Sequence, residues 1–352
     1  MGRRPATTSF ECASNRRKAA RVWSHLMSPR LGEQELIARY FAPLAGSAGL
    51  GLRDDAALLR PPPGEDLVLT ADALVAGVHF FPDDPPEAIA RKALRVNLSD
   101  LAAKGARPLG FLLTLALPRD WREDWLTSFA AGLGADASLY NCPLVGGDTV
   151  ATPGPLTLSV SAFGAVRPGR MATRSGVKPG DRLYVSGTIG DAAIGLRIRQ
   201  GRGPHLLQAA QAYLLGRYLT PEPRLALAGA IAAHAHAGMD LSDGFVGDLT
   251  RMLDVSGVSA RVPMYRLPLS QAARAAVAAD PGLFAVAVTG GDDYELIVST
   301  GPGSAPDFEA EAAAAGVPVT LIGEAVEGFG APSFIGPDGG KVVFDRGAYS
   351  HF

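Results

Sequence analysis

The chain has 352 residues, more than one ordinary hydrophobic core organises, so two domains are expected. Its 47% hydrophobic and 19% charged residues are typical of a soluble globular protein, and no run of 18 or more apolar residues predicts a membrane span. Only two cysteines occur, Cys12 and Cys142, so a structural disulfide is not expected and a reducing cytoplasm is the predicted location.

Charge is unevenly distributed along the chain. Residues 1–26 carry six basic residues and one acidic residue, a net charge of +5. Because the whole chain has a net charge of −2, residues 27–352 have a net charge of −7. A mildly acidic body argues against nucleic acid as the main partner. Residues 1–26 lack periodicity and the apolar segment of a secretion signal. We interpret them as an extension: a disordered tail, a start codon placed ahead of Met27 or, in a eukaryote, a transit peptide.

The first half predicts strands and helices that alternate with acidic positions. Helices are expected at 31–45, 86–106 and 121–133, and strands at 67–70, 110–117, 143–149 and 155–166. The strand at 67–70 is expected to end at Asp72, and the strand at 143–149 runs into two glycines and Asp148. Glycines beside an acid allow the backbone to approach a phosphate while the carboxylate holds a cation, although Gly and Asp also form ordinary turns.

A segment rich in Pro, Gly and Arg at 167–182 is the predicted domain boundary, which gives an N-terminal domain at 27–166 and a C-terminal α/β domain at 167–352. The second half alternates strands and helices, as in an α/β layer architecture. Strands are expected at 183–186, 259–262, 284–288 and 317–322, and helices at 189–200, 206–219, 224–236, 270–279 and 307–315.

Acidic residues recur near the predicted ends of these elements. They are Asp54, Asp55, Asp72, Asp100, Asp148, Asp240, Asp243, Asp292 and Asp293. Oxygen ligands without a Cys/His pattern favour a hard cation such as Mg²⁺, and there is no P-loop or protein-kinase motif. Structural alternatives remain open at this point: an Asp100–Lys104 ion pair, a helix cap at Ser242 or Asp243, and a solvated helix charge at Asp248.

Eight motifs in this order closely resemble the thiamine-monophosphate kinase family, over about residues 31–352. They are D-D-A-A (54–57), D-A-L-V-A-G-V-H-F (72–80), K-A-L-R-V-N-L-S-D-L-A-A-K-G-A (92–106), G-G-D-T (146–149), R-S-G-V-K-P-G-D (174–181), M-D-L-S-D-G (239–244), G-G-D-D-Y-E-L (290–296) and G-A-Y-S-H-F (347–352). Each motif alone is modest evidence, but their common order makes the resemblance specific.

The resemblance implies ATP-dependent phosphorylation of thiamine monophosphate to thiamine diphosphate. It implies a PurM-like (aminoimidazole ribonucleotide synthetase-like) fold, with an N-terminal α+β domain that dimerises through its sheet and a C-terminal α/β domain beside it. ATP and several Mg²⁺ ions are then expected in a cleft between the domains, with the γ-phosphoryl group passing directly to the substrate phosphate.

The resemblance also implies roles for individual residues. The implied metal ligands are Asp55, Thr70, Asp72, Asp100, Asp148, Asp240 and Asp243; the nucleotide contacts are Gly147, Asp148, Arg174 and Ser242; the acceptor contacts are His79, Asp292 and Tyr349. Three positions depart from the family pattern: Arg53 replaces a glycine, Ala71 stands where a hydroxyl residue is frequent, and Asp292 replaces a frequent glutamate.

Two other classes of protein compete with this interpretation. Another ATP-using enzyme of the same fold, such as aminoimidazole ribonucleotide synthetase, is the nearer alternative. Selenophosphate synthetase and the hydrogenase-maturation dehydratase need a reactive cysteine near one terminus, whereas Cys12 lies in the extension and the chain ends in His351-Phe352. A catalytically silent thiamine-phosphate-binding relative is the second class, and the intact acidic set argues against it.

Overall fold

The computed structural model describes residues 31–344, so the extension at 1–26 and Tyr349 lie outside the described residues. The strands are β1 Asp66–Val75, β2 Arg107–Pro118, β3 Leu144–Thr152, β4 Thr157–Val166, β5 Arg182–Ser186, β6 Ala235–Asp240, β7 Ser259–Pro263, β8 Leu296–Thr300, β9 Val319–Val326, β10 Ser333–Ile335 and β11 Lys341–Val342. The helices are α1 Glu33–Leu36, α2 Pro86–Ala103, α3 Glu123–Leu139, α4 Asp191–Arg199, α5 Gln208–Leu219, α6 Ala228–His234, α7 Phe245–Ser256, α8 Gln271–Ala279, α9 Leu283–Thr289 and α10 Ala305–Ala314.

Four strands form the N-terminal sheet in the order β1-β4-β2-β3. Strand β4 is antiparallel to both β1 and β2, whereas β3 runs parallel to β2. Helix α2 covers one face and packs beside α3, so that Leu94, Leu98, Leu115 and Phe129 share one fully buried core. The opposite face is open, and Leu69 there is 65% exposed.

Seven strands form the C-terminal sheet in the order β11-β10-β7-β9-β5-β8-β6. All neighbouring pairs are antiparallel except β10 with β7. Helices pack on both faces and build separate buried clusters, one around Phe245 and Leu249 and another around Tyr184 and Phe308. This layer of helices on a sheet is the expected α/β architecture. Among the described residues, no helix is both long and apolar enough to cross a membrane.

Helix α2 lies between the two sheets and belongs to both cores. Leu94, Leu98 and Leu101 pack in the N-terminal core, whereas Ala102 and Ala103 pack with residues of the C-terminal half. The helix ends in a left-handed turn: the Gly105 amide donates to Ala102 and the Ala106 amide donates to Leu101, with φ of Gly105 at 71°. This Schellman arrangement satisfies the last carbonyl groups and turns the chain into β2.

Several local predictions were wrong. The run 284–288 is part of helix α9, and the strand of this region is β8, which follows the G-G-D-D-Y-E motif. The predicted helix at 224–236 stops at His234, and the next residues form β6 because they pair with β8. Asp72 does not end a strand, since β1 continues to Val75 and pairs with β4 along its whole length. A short apolar run does not by itself distinguish a strand from a buried helix.

The close approach of α2 to β6 gives a test of the packing. A Cβ atom added at Gly238 would lie 2.3 Å from the carbonyl oxygen of Ala103, which is backbone and cannot turn aside. We therefore expect Gly238→Ala to lower the free energy of unfolding by about 1–3 kcal/mol in urea denaturation. Gly216→Ala in α5 is the matched control, because no atom lies within 4 Å of its added Cβ. That control should gain about 0.5–1 kcal/mol, and equal effects of both changes would contradict the packing argument.

Candidate active site

The polar residues of α2 face the C-terminal half where the two sheets meet. The Thr70 hydroxyl of β1 donates a hydrogen bond to Asp100 of α2. The Lys104 ammonium donates to the carbonyl oxygen of Gly238 in β6, at 2.7 Å. Helix α2 therefore brings β1 and β6, which belong to different sheets, to one place.

Three acids lie together at this place, and we call Asp72, Asp100 and Asp240 the junction acids. Burial, and next the charge of Asp100, raises the pKa of Asp72 to about 6. Burial, followed by the charges of Asp100 and Asp248, raises the pKa of Asp240 well above its ordinary value. Burial and neighbouring like charges therefore disfavour the ionised forms of Asp72 and Asp240.

Tyr294 and Lys104 border the junction acids. Burial raises the pKa of the Tyr294 hydroxyl, and the charges of Asp292 and all three junction acids raise it further. Burial and the charge of Arg174 lower the pKa of Lys104, whereas Asp240 and Asp100 act in the opposite direction. Arg174, which is exposed, thus lies near Lys104. Tyr294 and Lys104 were not predicted as site residues, although Lys104 shares a helix face with Asp100.

Asp55 and Asp148 lie elsewhere, in a cleft of about 850 Å³ on the open face of the N-terminal sheet. Gly147 also lines this cleft, with φ at 152°, and an added Cβ would lie 1.8 Å from the carbonyl oxygen of Leu113. Only glycine fits there. Asp148 is on β3 and Asp72 is on β1, the two edges of the sheet. Three strand spacings separate these edges, about 14 Å.

The segment after β6 corrects the predicted helix cap. Neither Ser242 nor Asp243 caps α7, because the Ncap residue is Gly244 and no side chain bonds from it. Instead, Asp248 accepts hydrogen bonds from the amides of Asp243 and Gly244, at 3.0 and 3.1 Å. Asp248 is fully buried, so it is not a solvated helix charge. Arg251 contacts the carboxylates of both Asp243 and Asp248, at 2.5 and 3.0 Å.

Two of the three predicted acceptor contacts are linked through α2. The buried Lys92 ammonium lies 3.0 Å from Asp292 Oδ2 and 3.2 Å from the carbonyl oxygen of His79. The His79 ring accepts a hydrogen bond from the Val75 amide through Nδ1, at 3.0 Å. The third predicted contact, Tyr349, lies outside the described residues.

The acids of the G-G-D-D-Y-E motif contact different parts of the chain. Asp293 accepts hydrogen bonds from the amides of Gly190 and Ala192 at the start of α4, and burial raises its pKa to about 8. Glu295 is fully buried and pairs with Arg217 and Arg224. These two acids hold the motif in the C-terminal half, whereas Asp292 faces α2.

The predicted metal ligands thus fall into three places: the junction acids with Thr70, the cleft with Asp55 and Asp148, and the Asp243–Arg251 pair. No three His, Cys, Asp or Glu side chains within residues 31–344 are placed to hold one metal ion. The donors are nevertheless carboxylate and hydroxyl oxygens, which fits a hard cation. Mg²⁺ is usually bound by one or two carboxylates together with substrate phosphates, so a complete protein cage is not required.

The raised pKa of Asp72 predicts a pH-dependent stability. The folded chain holds this proton up to about pH 6, whereas the unfolded chain releases it near pH 3.8. The free energy of unfolding therefore falls as pH rises through this range, by about 3 kcal/mol in total and by roughly half of that between pH 5 and 7.5. We expect urea denaturation in a chelating buffer to show that the free energy of unfolding falls less between pH 5 and 7.5 in Asp72→Asn than in the unchanged chain.

The matched control is Asp66→Asn, an exposed acid on the same strand, which should keep the original pH dependence. Asp248 and Asp293 also have raised pKa values, and they contribute the same pH dependence of the free energy of unfolding to all variants. An identical pH dependence for Asp72→Asn and the unchanged chain would contradict the prediction.

Two family models match the chain. The model of AIR synthase related protein, N-terminal domain, matches residues 53–166, and that of AIR synthase related protein, C-terminal domain, matches residues 178–332. These matches confirm the expected aminoimidazole ribonucleotide synthetase-like fold.

Similar proteins were also found along most of the chain. A curated thiamine-monophosphate kinase from Caulobacter vibrioides is 44% identical over 308 residues, which cover 86% of each chain. The crystal structure of thiamine-monophosphate kinase from Stenotrophomonas maltophilia K279a is 40% identical with a TM-score of 0.75, covering 83% of this chain and 91% of that one. AaThiL complexed with AMPPCP and TMP is 27% identical with a TM-score of 0.73, covering 99% of this chain and 100% of that one. The chain therefore belongs to the thiamine-monophosphate kinase family, as its motifs predict.

Proposed function

We propose that this chain transfers the γ-phosphoryl group of ATP to the phosphate of thiamine monophosphate and so produces thiamine diphosphate. The observation that carries the proposal is the 44% identity to a curated thiamine-monophosphate kinase along most of both chains. The structure adds a chemical reason, because the junction acids suit a reaction in which cations bring two anionic phosphates together.

The proposed roles follow the family motifs. Asp55, Thr70, Asp72, Asp100, Asp148, Asp240 and Asp243 are the proposed Mg²⁺ ligands; Gly147, Asp148, Arg174 and Ser242 contact ATP; His79, Asp292 and Tyr349 contact the acceptor. Bound Mg²⁺ would neutralise phosphate oxygens and favour in-line displacement. The oxygens of the junction acids repel one another, and binding a cation there relieves the repulsion.

The chain itself binds and orients the two substrates and excludes water from them, and no protein nucleophile is required. Gly147 lets β3 pass close to β2 beside Asp148, because a side chain there would meet the Leu113 carbonyl oxygen, and its backbone lines the Asp148 cleft. Thr70 and Ser99 hold junction groups in place: Thr70 bonds to Asp100, and Ser99 donates to the Tyr294 carbonyl at 3.4 Å. These contacts fix the acids before substrates arrive, which lowers the cost of ordering them later.

We further propose a homodimer that forms through the open face of the N-terminal sheet. Leu67 and Leu69 are 41% and 65% exposed on this face, and Val150 is 45% exposed. Burying these side chains against a second copy would remove apolar surface from water. The dimer would also resolve the separation of Asp72 and Asp148, if each complete site takes one of them from each copy.

The proposed location is the cytoplasm. Cys142 is buried and free, and it is the one cysteine among residues 31–344. The sequence offers no basis for a disulfide framework, which agrees with a reducing compartment. The domain bounds at 27–166 and 167–352 remain a prediction, supported by the separate N-terminal and C-terminal sheets.

The function is tested by incubating purified protein with Mg-ATP and thiamine monophosphate. We expect thiamine diphosphate and ADP in equal amounts, measured by chromatography. Asp148→Asn and Asp243→Asn should each abolish turnover without unfolding the chain, because each removes a proposed cation ligand, whereas Asp66→Asn should remain active. If the protein instead consumes ATP with formylglycinamidine ribonucleotide and not with thiamine monophosphate, it is an enzyme of the aminoimidazole ribonucleotide synthetase class.

The shared site is tested by mixing two inactive variants, Asp72→Asn and Asp148→Asn, under conditions that exchange subunits. In a mixed dimer, one of the two sites would contain both original residues. Random mixing should then restore about a quarter of the original activity. A control mixture of Asp72→Asn with Asp100→Asn, which lie together in one chain, should restore none. Absence of recovery in the first mixture, with exchange verified, would show that each site is built within one copy.

A further inference from the structure

Lys92 is a buried cation that none of the proposed catalytic roles uses. It lies in the middle of α2, and its side chain is 3% exposed. Its ammonium contacts the Asp292 carboxylate at 3.0 Å and the His79 carbonyl oxygen at 3.2 Å, and it lies 4.2 Å from the centre of the Tyr218 ring. An ammonium so removed from water is stable only when such partners compensate for its lost hydration.

The partners of Lys92 come from three separate parts of the chain. His79 belongs to the turn after β1, Asp292 belongs to the G-G-D-D-Y-E motif and Tyr218 belongs to α5. An ammonium has three N–H donors, and here two oxygens and an aromatic face surround it. Lys92 is therefore occupied by protein groups, so a direct role in holding a substrate phosphate is not favoured.

We propose that Lys92 is a positioning residue for the acceptor substrate: it holds Asp292 and the His79 turn at a fixed separation and so sets the affinity for thiamine monophosphate. The inference rests on the proposed function, because His79 and Asp292 are acceptor contacts only if that function is correct. It adds a residue that the family motifs did not assign to the site.

The conformation of Asp292 supports this role. Its φ is 74°, a left-handed conformation that is unfavourable for a residue with a side chain, and its amide donates to the Ser242 carbonyl oxygen at 2.9 Å. Its side chain remains 28% exposed, so one partner in the pair is accessible while Lys92 is not. An aspartate is one methylene shorter than the frequent glutamate, and the ammonium fixes the direction in which this shorter carboxylate points.

The His79 turn is held from its other side as well. The His79 amide donates to the Val75 carbonyl oxygen at 3.0 Å, and the Val75 amide donates to His79 Nδ1 at 3.0 Å. Because Nδ1 accepts a hydrogen bond, the proton of the neutral ring lies on Nε2. The Lys92 contact to the His79 carbonyl fixes this turn against α2. Removing the ammonium would release the turn and Asp292 together.

The first experiment compares Lys92→Met with Arg91→Met by steady-state kinetics. Methionine keeps the length and packing of the stem but has no charge. We expect the KM for thiamine monophosphate to rise at least about tenfold in Lys92→Met, because the Asp292 carboxylate loses the buried ammonium that orients it, while the KM for Mg-ATP stays within about twofold. Arg91 precedes Lys92 on the same helix and lies 3.9 Å from Asp136 instead, so its variant should keep both KM values.

A double-mutant cycle separates positioning from general structure. Calorimetry would measure thiamine monophosphate binding, without ATP, to Lys92→Met, Asp292→Asn and the combined variant. If Lys92 acts through Asp292, the combined variant should bind no more weakly than the weaker single variant. Losses that multiply instead would overturn the inference, as would an unchanged KM in Lys92→Met.

A folding failure and a failure of the proposed function are both distinguishable from a failure of the inference. If Lys92→Met fails to fold, Lys92→Arg tests the same point, because its larger planar group keeps the charge but not both contacts. A KM for thiamine monophosphate above that of the original chain then supports the inference, and an unchanged KM overturns it. If the unchanged chain neither binds nor phosphorylates thiamine monophosphate, the proposed function and the inference fall together. If it does both and Lys92→Met behaves like Arg91→Met, only the inference falls.

Discussion

The burial of helix α2 between two sheets is the constraint on which the site depends. Thirteen of its eighteen residues are buried, including Lys92, Asn97 and Ser99, so its polar groups must find partners in the surrounding chain. Lys92 and Ser99 find them in Asp292 and in the carbonyl oxygens of His79 and Tyr294, whereas the Asn97 side-chain amide donates to the Ala93 carbonyl oxygen of the same helix. The helix thereby fixes the G-G-D-D-Y-E motif of the C-terminal half against β1 of the N-terminal half. An arrangement chosen for stability alone would have placed apolar side chains at these positions.

The junction acids show that the chain accepts a cost in stability at this place. Burial and like charge raise the pKa of Asp72 and of Asp240, which means that the folded state disfavours their ionised forms. Lys104 compensates in part, but its own pKa is lowered by burial and by Arg174. Phosphate groups bring further negative charge, so protein and substrates repel unless cations bind between them. The repulsion among the junction acids and the proposed requirement for cations in phosphoryl transfer therefore have the same origin.

The sequence allowed the fold class and most of the elements to be predicted, because motif order and apolar periodicity are local properties of the chain. It did not predict the separation of Asp72 from Asp148, since the strand order β1-β4-β2-β3 places these two acids at opposite edges. A helix cap at Ser242 or Asp243 was an open alternative because both residues precede α7, yet it is Asp248, within the helix, that accepts hydrogen bonds from the Asp243 and Gly244 amides. The run 284–288 was misassigned because five apolar residues fit a strand as well as a helix. Lys92 opens the family motif at 92–106, but it was missed because nothing in the motif shows that its partners are Asp292 and His79, which lie far from it in the chain.

The G-G-D-D-Y-E segment explains how a strained site can persist. Asp292 and Tyr294 have φ of 74° and 51°, and both lie toward α2 and the junction acids. The intervening and following acids, Asp293 and Glu295, point into the C-terminal half, where they bond the start of α4 and the two arginines Arg217 and Arg224. Asp292 and Tyr294 thus face α2, whereas Asp293 and Glu295 face the C-terminal half. The buried contacts of Asp293 and Glu295 offset the backbone strain at Asp292 and Tyr294. Because both arginines and α4 belong to the C-terminal half, that half fixes the position of Asp292, whereas the Lys92 ammonium links Asp292 to the His79 turn of the N-terminal half.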